Sequence, residues 1–120
     1  MRRAAALVSL AILGAFLSGL CSCSSSRAFV RMRNVGTQPV REVELNYGKM
    51  FGIGELKAGE MRERNVKFSD PADLSIRFYD ASNRLITSKG PRVEAGVAGE
   101  IEARIGDGGK VEWVVNVKSH

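Results

Sequence analysis

Cysteine is nearly absent from this chain, and its two copies, Cys21 and Cys23, lie close together near the amino terminus. From Ser24 to His120 there is none, so no disulfide can brace the body of the protein, and a domain of this size must hold itself together by its core alone. Histidine is equally scarce. The single copy is the last residue, His120, which argues against imidazole acid–base chemistry or a Ser-His-Asp triad. With no Cys or His in the body, zinc and copper have no ligand set, and no cofactor is expected. Blocks of like charge are missing too. Acidic and basic residues alternate as on solvated strand faces, and Arg2 and Arg3 alone supply two of the formal +5 charges, so the basic balance does not point to a nucleic-acid partner.

Other signatures of chemistry are incomplete. Asp70, Asp73, Asp80 and Asp107 lie among Gly, Pro, Ser and Asn, where carboxylates bond local backbone, and none has the spacing of a helix-loop-helix calcium site. Gly52-Ile53-Gly54 has two glycines of a phosphate-binding loop but neither the third nor a following helix. No catalytic residue is assigned, and the chain reads as a non-enzyme.

What is present begins with a delivery signal. Met1-Arg2-Arg3 is a short basic start, and Ala4 to Leu20 is mostly Ala, Leu, Ile, Val and Phe. The stretch is short for a bilayer-spanning helix, which takes about 20 residues, and small residues follow it in the three-part pattern of a secretory signal helix. Leu20-Cys21-Ser22-Cys23 resembles the bacterial lipoprotein signature: Leu at the third position before Cys23, small Ser22 immediately before it, and Cys21 between them as the one departure. Cys21 itself would follow the bulky Leu20. The resemblance implies cleavage after residue 22, a lipid (palmitate-type acyl chains) on Cys23, and a Ser24-Ser25-Ser26 tether. Ser24 in place of Asp resembles the sorting pattern for the outer membrane, implying an envelope protein facing the periplasm. Cell-surface display, secretion after ordinary cleavage and an uncleaved anchor are the alternatives. The expected organisation is therefore 1–22 signal peptide, 23–27 lipidated cysteine and tether, and 28–118 one domain.

In that domain apolar residues recur every second position, broken by Gly, Asn, Asp and Pro clusters, with no sustained helical period; this predicts strands throughout. They are expected at about 28–34, 40–47, 61–68, 74–79, 84–89, 100–105 and 110–117, with a short edge piece at 50–53, a stop at Gly90-Pro91 and a loop over 93–99. Val30 and Met32, Val43 and Leu45, Val66 and Phe68, Leu74, Ile76 and Phe78, Ile101, Ala103 and Ile105, and Val111, Trp113, Val115 and Val117 form the expected inner rows. The expected fold is all-β: one antiparallel sandwich of about seven short strands, with a small up-and-down barrel as the alternative. If the first two strands form a hairpin, Arg31 faces Glu44 and Arg33 faces Glu42. Otherwise Arg27, Arg31 and Arg33, close behind the anchor, are candidate contacts to anionic headgroups.

The run Val30-Arg31-Met32-Arg33-Asn34, a Gly36 turn and then Val43-Glu44-Leu45-Asn46-Tyr47 resembles the first hairpin of bacterial immunoglobulin-like sandwich domains. With the lipid signal, the chain looks like small envelope lipoproteins that carry one such domain. That resemblance implies adhesion, scaffolding or partner binding at a membrane: a binding module for an envelope protein, or an accessory subunit or inhibitor of one, ahead of a cell-surface hydrolase.

Overall fold

The computed structural model describes residues 26–118, so the stretch expected to form a signal helix, Cys23 and His120 lie outside the described residues. Eight strands follow in order: β1 (Ala28–Asn34), β2 (Val40–Asn46), β3 (Met50–Leu56), β4 (Met61–Val66), β5 (Ala72–Tyr79), β6 (Leu85–Val93), β7 (Ala98–Ile105) and β8 (Val111–Lys118), with one short 3-10 turn at Asp107–Gly109 between the last two. Two four-stranded sheets result, ordered β4-β1-β7-β8 and β3-β2-β5-β6. They are the two layers of a sandwich, not a closed barrel. All neighbours are antiparallel except β1 and β7, which run parallel from Ala28 opposite Gly99 to Asn34 opposite Ile105.

The inner rows follow the pleat, whose side-chain period of two sends alternate residues inward. Val30, Met32, Val43, Leu45, Ile76, Phe78, Ile101, Ala103 and Ile105 are fully buried and belong to one cluster that joins both sheets. Leu56, which no expected strand reached, and Val93 and Val97, from the expected 93–99 loop, complete it.

Three expectations are corrected. β1 and β2 form no hairpin; the chain crosses at 35–39 from one sheet to the other. Both strands carry an apolar inner row, and alternation dictates which face is buried but not which strand lies alongside. Arg31 therefore bonds Glu63 (2.7 Å) and Glu100 (2.9 Å), Arg33 bonds Glu102 (3.1 Å), and Glu44 is taken by Arg77 (2.7 Å). Next, β6 does not stop at Gly90-Pro91. It continues to Val93 through a register shift, with Asp73 opposite Arg92 but Ser75 opposite Lys89. β6 is an edge strand, where a residue without an N–H is tolerated, especially at a bulge. Finally, Val115 stands in the expected inner row yet is 45% exposed, because β8 too is an edge.

Candidate functional site

The strands divide the surface into two poles and two outer faces. At one pole the chain enters at Arg27, beside the 47–49 turn, the 67–71 loop and the 94–97 loop. A shallow cleft of about 300 Å³ lies there, lined by Tyr47, Lys49, Lys67, Phe68 and Asp70 among others. At the opposite pole the 35–39 crossing, the 80–84 turn and the 106–110 turn converge around a cleft of about 270 Å³.

The polar groups of the second cleft are tied to backbone. Asn34 is buried; its Nδ2 donates to the carbonyls of Gln38 (2.8 Å) and Leu56 (3.0 Å), and its Oδ1 accepts from Gly36 N–H (2.9 Å). Asp107 reaches across from the last turn and accepts from Thr37 N–H (2.8 Å) and Thr37 Oγ1 (2.9 Å). These bonds from Thr37 hold its carboxyl below the usual range. A Cβ on Gly36 would collide with the Asp107 carboxylate, so this close approach admits no side chain. Asp80 accepts from Ser82 N–H and Arg84 N–H (2.9 Å each) and pairs with the Arg84 guanidinium (2.9 Å). The Arg84 backbone bond is the main cause of its lowered pKa, opposed by burial. Asp80 thus serves its own turn, as its Ser and Asn neighbours imply, whereas Asp107 bonds no local backbone and instead ties the last turn to the 35–39 crossing. Among the described residues no three His, Cys, Asp or Glu side chains converge to hold a metal ion.

The sequence-assigned basic residues fare differently from one another. Arg27 is exposed at the entry pole. Arg31 and Arg33 lie on the outer face of the β4-β1-β7-β8 sheet, in two ion-pair groups. Arg31 bridges Glu100 and Glu63, which raise its pKa in that order. Arg33 and Arg104 share Glu102, whose carboxyl they hold low, Arg104 more strongly. Pairing is thus the geometry of Arg31 and Arg33, with Glu63, Glu100 and Glu102 in place of Glu42 and Glu44.

Trp113 is half-buried. Its Nε1 donates to Ser88 Oγ on β6 (3.1 Å), and its indole lies so close to Gly90 that a Cβ there would meet the ring at 2.7 Å. The indole therefore closes the seam between β8 and β6 rather than standing in the deep core. Gly52-Ile53-Gly54 lies within β3. Sequence reasoning passed over Asn34, although Asn two residues before Gly at a strand end is a signal for such a side-chain turn.

No family model matches the chain, and neither does any curated protein. Among solved structures, it is similar to the NMR structure of a protein from Eubacterium rectale. That match has 12% identity and a TM-score of 0.54, covering 75% of this chain and 88% of that one. The likeness supports the class the strands define, a small two-sheet β-sandwich, and carries fold alone.

Proposed function

We propose that the protein is a non-enzymatic envelope lipoprotein, held by a lipid on Cys23, whose sandwich is a binding or scaffolding module for another envelope protein. The observation that carries this reading is the opposition of two poles. The chain enters the sandwich at one, and the loops 35–39, 80–84 and 106–110 gather at the other. Residues 24–27 alone separate Cys23 from Ala28, a reach of about 15 Å when extended. An anchor at Cys23 holds the entry pole against the bilayer and turns the opposite pole outward. Exposed Arg27, Lys49 and Lys67 at the entry pole suit anionic headgroups, each basic residue near the surface adding about 1 kcal/mol. Arg31 and Arg33, occupied by carboxylates, contribute less.

Fatty-acid labelling and fractionation of Cys21→Ser and Cys23→Ser cells test the anchor. Labelling is expected to vanish only in Cys23→Ser; loss in Cys21→Ser alone refutes the assignment. For the binding role, the lipidated protein is recovered from membranes with and without bulky Arg substitutions at exposed Gln38 and Ser82. A partner that co-purifies equally well with both forms places recognition elsewhere.

A further inference from the structure

The two sheets have four edge strands, β4, β8, β3 and β6, and an open edge invites pairing with another chain unless a device blocks it. Three are blocked. β4 presents Arg62-Glu63-Arg64, with the Arg64 guanidinium laid over the Phe51 ring at 4.2 Å. β3 is broken by Gly52 and Gly54 and by register shifts against β2. β6 carries Pro91 and its bulge. β8 differs. Its ladder with β7 runs without a shift from Ala98 opposite Lys118 to Ile105 opposite Val111, and its sequence is VEWVVNVK. Val115 is 45% exposed and Val114 is only half-buried on the outer face.

We infer that the free edge of β8 pairs antiparallel with β8 of a second copy of this chain, about a two-fold axis at Val115, joining two sheets into one of eight strands. The charges choose the occupant and the register. A two-fold perpendicular to a sheet must pass through a residue opposite its own equivalent, because only then do hydrogen-bonded pairs map onto hydrogen-bonded pairs. Centred on Val115, Glu112 meets Lys118 of the second copy, and by symmetry Lys118 meets Glu112. Trp113 then meets Val117, and Val115 meets itself, so the exposed part of the inner row is covered. Centred on Val114, Lys110 meets Lys118, a like-charge pair that destabilises a sheet. Centred on Trp113, Glu112 meets Val114 and no ion pair forms. The interface is isologous, the form most soluble dimers take, and it does not depend on the lipid anchor.

The test is disulfide capture in the full-length chain expressed in a bacterial envelope, with the wild-type chain alongside to account for Cys21 and Cys23. Residues directly opposite in an antiparallel pair have Cα atoms about 4.5–5.5 Å apart, inside the range a disulfide spans. Val115→Cys is expected to give a covalent homodimer on oxidation. Val114→Cys, two residues out of step with its equivalent, is expected to give little. On the Val115→Cys background, Glu112→Lys turns two attractive pairs repulsive and should weaken capture on the order of tenfold. Adding Lys118→Glu should restore it, which damage to folding would not allow; both residues are exposed, and circular dichroism checks that the sheet persists. Capture at Val114→Cys in preference to Val115→Cys, capture of a different protein, no capture at all, or a double exchange that fails to restore it overturns the proposal.

Discussion

Two buried polar side chains at the pole opposite the entry, Asn34 and Asp80, carry much of its stability. Asn34→Ala would leave two carbonyls and the Gly36 N–H without their partner, and burial makes the loss costly, about 2–4 kcal/mol in urea unfolding. An exposed Asn would cost almost nothing, so a loss below about 1 kcal/mol contradicts the bonding described. Asp80 adds a pH dependence. Its native carboxyl ionises below the ordinary value, so near pH 4 the unfolded chain binds more protons than the folded one, and acid favours unfolding. That stabilisation is full above the unfolded pKa of about 3.9 and is lost as pH falls through the native value. Asp80→Asn is expected to flatten the acid limb of the stability profile while leaving the neutral region's slope unchanged. Trp113→Ala is a milder lesion than a deep-core truncation, about 2–3 kcal/mol against the 3–5 typical of full burial, since the indole is only half-covered. As the sole tryptophan it reports directly: its emission should lie between that of buried indole and that of indole in water.

At the scale of elements, alternation made the strands legible. The inner rows of β5 and β7 emerge residue for residue, that of β1 only at Val30 and Met32 without the equally buried Ala28 and Asn34, and β3 and β4 stand at edges, as the Gly-broken 50–53 piece and the charged 62–64 run imply. Pairing was legible only across the glycine-rich turn that joins β7 to β8. Period-two patterning fixes a strand's faces, whereas its neighbours depend on which loops cross between layers, and nothing in Val35-Gly36-Thr37-Gln38-Pro39 distinguishes a crossing from a hairpin turn. The continuation of β6 through Gly90-Pro91 escaped for a related reason: those residues end a central strand but only bulge an edge one. Gly90 has a second role there. Gly90→Ala would drive a methyl into the Trp113 ring and should cost about 1–3 kcal/mol with a shift in tryptophan emission. The β2 bulge also left no sequence trace. Glu42 adopts a φ of 50°, a conformation that disfavours every residue with a Cβ. Glu42→Gly should therefore raise stability, by up to about 1 kcal/mol; a loss would show that the Glu42 side chain makes contacts that offset its strained backbone.

For the whole molecule the parallel β1–β7 pair is decisive. It sets Ala28 beside Gly99, so the first strand finds its place only when the seventh is present, and β1 lies inside its sheet, flanked by β4 and β7. Neither sheet is contiguous in sequence: β2, β3, β5 and β6 alternate with stretches of the other layer. Such a topology leaves no half that can fold by itself, and the core is a single cluster drawn from both sheets. Unfolding should accordingly be two-state. Trp113 fluorescence, reporting the β8–β6 seam, and far-UV circular dichroism, reporting all strands, should give one midpoint in urea. Reductant should leave it unchanged, because the domain contains no cysteine beyond Cys23. Refolding should be slow for the chain's size, on the order of milliseconds to seconds, since long loops must close before the central pairs form. A tryptophan transition that precedes the loss of strand signal would mean that the seam opens while the sheets persist, and the sandwich would then behave as two weakly coupled layers instead of one cooperative unit.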